Sequence, residues 1–87
     1  MQLDDPCVRN ILVFLDKALK KKKEVTFNEV MAARECRKYS VGDIGKALEL
    51  LRRYGYVDAR SRFGCSELLE FTATGITEKG KSFLSRK

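Results

Sequence analysis

Basic side chains are concentrated in the middle of the chain, between residues 34 and 62. This stretch holds eight Lys and Arg residues against four Asp and Glu residues, and the whole chain has a formal net charge of +6. Guanidinium and ammonium groups donate hydrogen bonds to phosphate oxygens and to the major-groove edge of guanine. Their concentration favours a polyanionic partner, with nucleic acid the first choice and an anionic membrane surface the second.

Residues that could carry out catalysis or bind a metal are scarce. The chain has no histidine, and its three cysteines, Cys7, Cys36 and Cys65, stand far apart. Nucleophilic catalysis needs a base beside the nucleophile, and a zinc site needs about four ligands, usually in close pairs. We therefore expect no enzymatic activity, no cofactor and no metal. The cysteines are expected to be buried or half-buried free thiols, with an intermolecular disulfide at one of them as the alternative.

Length and composition favour a single globular domain over residues 1–87. With 87 residues the chain has room for one core, and its 44% hydrophobic and 34% charged residues are typical of a folded domain. No stretch reaches the ~18 apolar residues of a membrane span, and the acidic start does not resemble a signal peptide. We expect a cytoplasmic, nucleoid-associated protein without a membrane partner. Few Asn, Gln and Met residues beside many Lys, Arg and Glu residues indicate a thermophilic source.

The first predicted helix opens at Asp4-Asp5-Pro6 and runs to about Lys22. Asp is a favoured N-cap, and Pro is favoured at the first helical position. The apolar stripe of this helix consists of Val8, Ile11, Leu12, Leu15 and Leu19. A second apolar face consists of Cys7, Phe14 and Ala18. Either another segment of the chain covers this second face, or it is the interface of a homodimer. The lysine run at residues 20–23 suits the helix C-terminus or a patch that faces phosphates or a membrane.

Two further helices are predicted before residue 55. The capping box Thr26-Phe27-Asn28-Glu29 begins the second helix, which ends near Cys36. Ser40 caps the third helix, and Gly55 suits the left-handed position after its end. The buried stripe of the third helix is Ile44, Ala47, Leu48 and Leu51. This stripe predicts that the following residues point outward: Val41, Gly42, Asp43, Gly45, Lys46, Glu49, Leu50 and Arg53.

Two strands and a short helix complete the predicted fold. Residues 56–60 and 67–74 alternate as strands do and form a hairpin around a loop of about six residues, 61–66. Residues 77–84 form a short helix with Phe83 and Leu84 facing inward. This order predicts an α+β fold, namely a winged helix-turn-helix with a three-helix core, a two-stranded β-hairpin wing and a short C-terminal helix.

Two segments resemble known regulators. Residues 40–57, a Ser-capped helix that runs into a Gly-apolar-Val step, resemble the recognition helix and its exit in repressors of the multiple-antibiotic-resistance and phenolic-acid-decarboxylase families. Ile76-Thr77-Glu78-Lys79-Gly80 resembles the Leu-Thr-Glu-x-Gly signature that follows the wing in those families. The chain also resembles small archaeal and archaeal-virus winged-helix proteins. Gly42 and Gly45 depart from the usual pattern and leave fewer side chains to read bases.

The resemblance implies a transcription regulator that binds double-stranded DNA in a sequence-specific or semi-specific manner. The recognition helix, residues 40–54, would enter the major groove, and the wing, residues 56–74, would lie on the adjacent backbone or minor groove. Lys46 is the first candidate for a base or phosphate contact. Ser40 and Asp43 either cap the helix or contact the DNA as well. The expected contact residues are Arg37, Lys38, Tyr39, Ser40, Val41, Asp43, Lys46, Arg53, Arg60, Arg62 and Phe63.

Two other functions fit the same fold. Asp43, Glu49 and Leu50 dilute the positive charge of the third helix, which suits a protein-protein interaction module of a larger complex. The basic turn and wing would also serve an RNA-binding domain. For DNA, neutralisation of about five phosphates predicts that the logarithm of the association constant falls with the logarithm of salt at a slope near −4 to −5.

Overall fold

The described part of the chain folds into four α-helices, a short 3₁₀ helix and a three-stranded antiparallel sheet. The computed structural model describes residues 5–64 and 67–85, without the side chains of Phe63, Glu67 and Leu68. The elements are α1 (Pro6–Leu19), β1 (Val25–Thr26), α2 (Phe27–Ala32), a 3₁₀ helix (Arg34–Cys36), α3 (Val41–Arg53), β2 (Val57–Gly64), β3 (Glu67–Ile76) and α4 (Glu78–Ser85). The predicted α+β winged helix-turn-helix is confirmed, with α2 and α3 as the helix-turn-helix and β2–β3 as the wing.

The helix caps form as predicted. The Asp5 side chain accepts a hydrogen bond from the Cys7 backbone N–H at 2.9 Å, and the Thr26 hydroxyl accepts one from Glu29 N–H at 3.3 Å. Ser40 Oγ accepts from Asp43 N–H at 3.1 Å. These side chains satisfy amide groups that have no partner inside the helix. Two helices end earlier than predicted, α1 at Leu19 rather than about Lys22, and α2 at Ala32 rather than near Cys36.

The core lies between α1, α3 and the inner face of the sheet. The predicted stripes of both helices are buried, apart from Leu19, which is only partly covered. Val57, Phe71 and Ala73 close the core from the sheet. Because α3 packs with one side on this core, its opposite side and its first turn remain accessible, and that geometry positions the candidate site.

Two of the cysteines, Cys7 and Cys36, are part of the core, as expected of buried free thiols. Cys7 is 4% exposed and Cys36 is fully buried, and both are free. Cys7 is therefore covered within the chain, which corrects its assignment to a homodimer interface, and the 3₁₀ helix packs against α1. Burial raises the pKa of the Cys36 thiol to about 11, with smaller contributions from Glu35 and Cys7. Cys65 lies outside the described residues.

The sheet is larger than predicted. Its strand order is β1-β3-β2, so the two-residue strand β1, which was not predicted, pairs with β3 at Val25↔Ala73. The wing is also longer, because β2 continues to Gly64, which pairs with Glu67. The predicted six-residue loop is therefore wrong for residues 61–64, which are part of the ladder.

The start of α4 is held against the exit of α3. The Thr77 hydroxyl accepts a hydrogen bond from Gly80 N–H at 3.1 Å and donates one to the Gly55 carbonyl at 2.6 Å. Gly55 has a φ of 75°, as the predicted left-handed position requires. At Gly80 an added Cβ would stand 2.2 Å from the Tyr56 carbonyl oxygen, so this close approach admits only glycine.

The C-terminal helix packs on the domain through two partly buried residues, Phe83 and Leu84, as predicted. The Phe83 ring centre lies 5.2 Å from the Tyr56 ring centre, and the Arg9 guanidinium carbon lies 5.7 Å from the Phe83 ring centre. Within the described residues, no helix has the length and apolar character that crossing a membrane requires.

Candidate nucleic-acid interface

The first turn of α3 is the most accessible part of that helix. Ser40, Val41, Gly42 and Asp43 are all exposed, and Lys46 is exposed one turn later. The Ser40 hydroxyl caps the helix, which confirms the capping role predicted for it. Because the core stripe begins only at Ile44, this turn projects beyond the packed part of the helix. It is the end of a recognition helix that reaches base edges in a helix-turn-helix.

Three residues of α3 do not point outward as predicted. Gly45 and Glu49 are buried, and Leu50 is partly buried against the core. Glu49 is held there by two arginines: Arg52 donates two hydrogen bonds to its carboxylate, and Arg53 Nη2 lies 3.7 Å from Glu49 Oε1. The carboxylate raises the pKa of Arg52. Arg53, an expected contact residue, is therefore already partly neutralised within the chain.

The turn before α3 is connected to α1 through Tyr39. Asn10 Nδ2 donates a hydrogen bond to the Tyr39 hydroxyl at 2.7 Å, and the Lys38 ammonium lies 5.4 Å from the centre of the Tyr39 ring. Arg37 and Lys38 are exposed, whereas Tyr39 is half-buried. Arg37 and Lys38, two expected phosphate-binding residues, therefore directly precede a tyrosine that is hydrogen-bonded to α1. Asn10 was not predicted as part of this site, since nothing in its local sequence distinguishes it from other polar positions of α1.

The wing presents its charges on its outer face. Asp58, Arg60 and Arg62 alternate along β2 with less exposed residues. Arg60 Nη2 lies 3.6 Å from a Glu24 carboxylate oxygen, while Arg62 stands opposite Glu70 in the ladder. Arg60 is therefore paired, and Arg62 has no carboxylate within salt-bridge distance among the described residues. The side chain of Phe63, another expected contact, lies outside the described part of the chain.

The lysine run, residues 20–23, lies next to the wing. The run is exposed, and its neighbour Glu24 forms the ion pair with Arg60. Lys20 pairs with Asp16 at 3.6 Å, and Lys22 donates to the Glu29 carboxylate, a bond that lowers the pKa of Glu29. β1, which follows the run directly, pairs with β3 and so brings the run close to the wing. Because β1 was not predicted from the sequence, this proximity was not predicted either.

The two remaining candidate interface residues line an open pocket. Phe14 and Ala18 are half-buried in the wall of a pocket of about 350 Å³ between α1 and α2. The full lining is Phe14, Ala18, Lys21, Lys22, Glu29, Ala32 and Ala33. Part of the second apolar face is therefore covered by α2, and part remains accessible. Separately, no group of three or more His, Cys, Asp or Glu side chains in the described chain could hold a metal ion.

Comparison with known proteins gives a match in structure and none in sequence. No family model and no curated protein sequence matches the chain. A solved structure, that of the transcriptional regulator homologue protein from Pyrococcus horikoshii OT3, is similar with a TM-score of 0.61 and 19% sequence identity. The similarity covers 97% of this chain and 74% of that one. At this identity the similarity establishes the fold alone.

Proposed function

We propose that the chain binds double-stranded DNA in a sequence-specific or semi-specific manner and acts as a transcription regulator. In this proposal α3 enters the major groove, and the β2–β3 wing lies on the adjacent backbone or minor groove. The observation that carries the proposal is that the turn, the recognition helix and the wing each present at least one cation without a carboxylate partner among the described residues. Within the described residues, Arg37, Lys38, Lys46 and Arg62 form no ion pair, and they occupy the turn, the recognition helix and the wing.

Unpaired cations favour a polyanion because they need not give up an internal partner to bind it. An arginine such as Arg53 or Arg60 exchanges one carboxylate for a phosphate, so its net gain is small. Lys46 and Arg62 break no ion pair seen among the described residues, and each phosphate that they neutralise releases a condensed counterion. We therefore assign the larger part of the affinity to the unpaired cations and a smaller part to Arg53 and Arg60.

Duplex DNA fits this surface better than the two alternatives. The major groove of B-form DNA admits an α-helix, whereas the deep and narrow major groove of A-form RNA does not. For a protein partner, an exposed apolar patch would be expected. The exposed large hydrophobic residues of the described chain are Val41, Tyr54 and Leu69, and the first two stand at opposite ends of a 13-residue helix. Similarity in fold to a transcriptional regulator homologue supports the same proposal.

As part of this proposal, two copies bind together, each on one half-site. The surface we assign to the second copy is the pocket that Phe14 and Ala18 line, because these two apolar residues are only half-buried within the chain. A two-fold axis would bring the same apolar surface of both copies together. Light scattering should then give twice the chain mass of 10.0 kDa, and Ala18→Glu should give the single mass. A wild type that stays monomeric at all concentrations, with and without DNA, would contradict the dimer.

The binding proposal is tested by titrating duplex DNA fragments in gel-shift experiments with a charge-matched control. The test variant is Lys46→Ala/Arg62→Ala, and the control is Lys79→Ala/Lys81→Ala on α4, which removes the same charge outside the proposed surface. We expect the test variant to bind at least about tenfold more weakly than the control. Equal affinity of the two variants would contradict the assigned surface. Tighter binding of duplex RNA than of duplex DNA would favour the RNA alternative.

A further inference from the structure

Building on the proposed function, we propose that Val41 and Gly42 form a contact surface for the methyl group of a thymine in the major groove. Both residues lie in the exposed first turn of α3. Such a contact would favour thymine at one position of the bound DNA, a preference that neither the fold nor the charge pattern indicates.

Val41 is unusually exposed for an apolar residue. Its exposed fraction is 62%, the highest among the large hydrophobic residues of the described chain. Valine is β-branched and has a lower helix propensity than alanine or leucine, so a valine at the start of α3 does not stabilise the helix. Most of the Val41 surface is therefore left uncovered by the described residues and remains available to an apolar group of another molecule.

Gly42 has no structural reason to be a glycine. Its φ is not positive, and an added Cβ would meet only Ser40 Oγ, at an ordinary contact distance of 3.9 Å. In contrast, Gly55 has a left-handed backbone and Gly80 touches the Tyr56 carbonyl. Glycine is among the least favourable residues within a helix. Its effect at position 42 is to leave the helix backbone bare on the accessible side, where another molecule could approach closely.

A thymine methyl group fits the surface that these two residues leave. It is the one apolar group on the base edges of the major groove, and it distinguishes thymine from cytosine. Lys46, four residues after Gly42 and thus on the same side of the helix, can donate to an acceptor of a neighbouring base. Asp43 is exposed beside them and repels phosphates, which favours base edges rather than the backbone at this end of α3.

The first test removes only the thymine methyl group. The wild-type chain selects its preferred duplexes from a random-sequence pool, and each thymine of the most enriched duplex is then replaced in turn by deoxyuridine. We expect one position per bound chain at which the replacement weakens binding about fourfold, the effect of burying one methyl group. In Val41→Ala the difference between the two duplexes should largely disappear.

The outcomes of this test separate the two proposals. If no duplex is enriched or bound, the proposed function fails. If duplexes are bound but deoxyuridine has no effect at any position, or if Val41→Ala retains the full difference, the thymine contact is overturned while DNA binding stands.

The second test separates a role in binding from a role in folding. Gly42→Ala should raise the melting temperature, by up to about 5 °C, because alanine favours the helix. The same variant should bind the selected duplex at least about fivefold more weakly, because the new methyl group occupies the space of the base. Ser82→Ala is the matched control, since Ser82 is exposed on α4 outside the proposed surface and alanine favours that helix as well, and it should bind like the wild type. Unchanged affinity of Gly42→Ala would overturn the inference.

Discussion

The side-chain amide of Asn10 donates a hydrogen bond to the hydroxyl oxygen of Tyr39 at a distance of 2.7 Å. The bond joins two residues that are 29 positions apart and fixes the turn before α3 to α1. Because the Tyr39 hydroxyl is the acceptor, its own proton remains available for a second acceptor. In the proposed complex that acceptor is a backbone phosphate oxygen.

Tyr39→Phe removes this hydroxyl and retains the ring. We expect a loss of about 1 kcal/mol in the free energy of unfolding and a several-fold loss in affinity for duplex DNA. Asn10→Ala is the paired variant, because it breaks the same internal bond and leaves the hydroxyl in place. Chemical denaturation and DNA titration should show similar stability losses for the two variants and a larger affinity loss for Tyr39→Phe. Equal DNA affinity of both variants would argue against a phosphate contact by Tyr39.

Glu49→Gln should change stability and DNA binding in opposite directions. The substitution removes the charge that Arg52 and Arg53 share, so the free energy of unfolding should fall by about 1 kcal/mol. It also leaves Arg53 without its carboxylate, which makes the salt slope of DNA binding steeper by up to about 1. Glu78→Gln on α4 is the control for the change in net charge. If both variants gain affinity equally, the gain comes from net charge and not from Arg53.

Gly80→Ala should destabilise the fold strongly. The new Cβ would lie 2.2 Å from the Tyr56 carbonyl oxygen and 2.8 Å from Ile76 Cγ2, so α4 must move away from the sheet. We expect a loss of about 2 kcal/mol or more, measured by thermal or chemical unfolding. Gly75→Ala adds the same methyl group where nothing lies within 4 Å and should change stability far less. Similar losses in the two variants would contradict the close approach at residue 80.

The buried thiol of Cys36 should make stability depend on pH in the alkaline range. Burial raises its pKa from the ordinary value of 9.0 to about 11. Between these values the unfolded chain loses the proton more readily than the folded chain does, so the folded state loses stability as pH rises from about 9 to about 11. The difference in unfolding free energy between wild type and Cys36→Ala should shrink over this range. A difference that stays constant with pH would contradict the raised pKa.

Local signals were sufficient to predict the helices and their starts. Asp5, Thr26 and Ser40 could be identified as caps because a cap depends on residues two or three positions away. The same holds for Gly55, whose left-handed backbone follows directly from the end of an apolar stripe. The order of these elements then determined the fold class.

The missed features all depend on contacts between distant segments. β1 consists of two residues and exists only because β3 pairs with it, so no alternation could reveal it. Residues 61–64 have the composition of a loop, yet the ladder with β3 extends through them. Glu49 is polar and was therefore placed outside, whereas its ion pairs with two arginines allow it to be buried. Cys7 was named as a homodimer-interface residue because the helical pattern of α1 does not show which other segment covers its second apolar face.

The salt dependence of duplex binding tests the central claim most directly. The association constant of the wild type for a DNA duplex should be measured by titration between about 50 and 200 mM salt. With about five phosphates neutralised per chain, the logarithm of the constant should fall against the logarithm of salt with a slope near −4 to −5 for each bound chain, and Arg62→Ala should reduce that slope by about 1 for each bound chain. A slope near zero, or no duplex binding at the lower salt concentration, would contradict the proposal that this surface binds DNA.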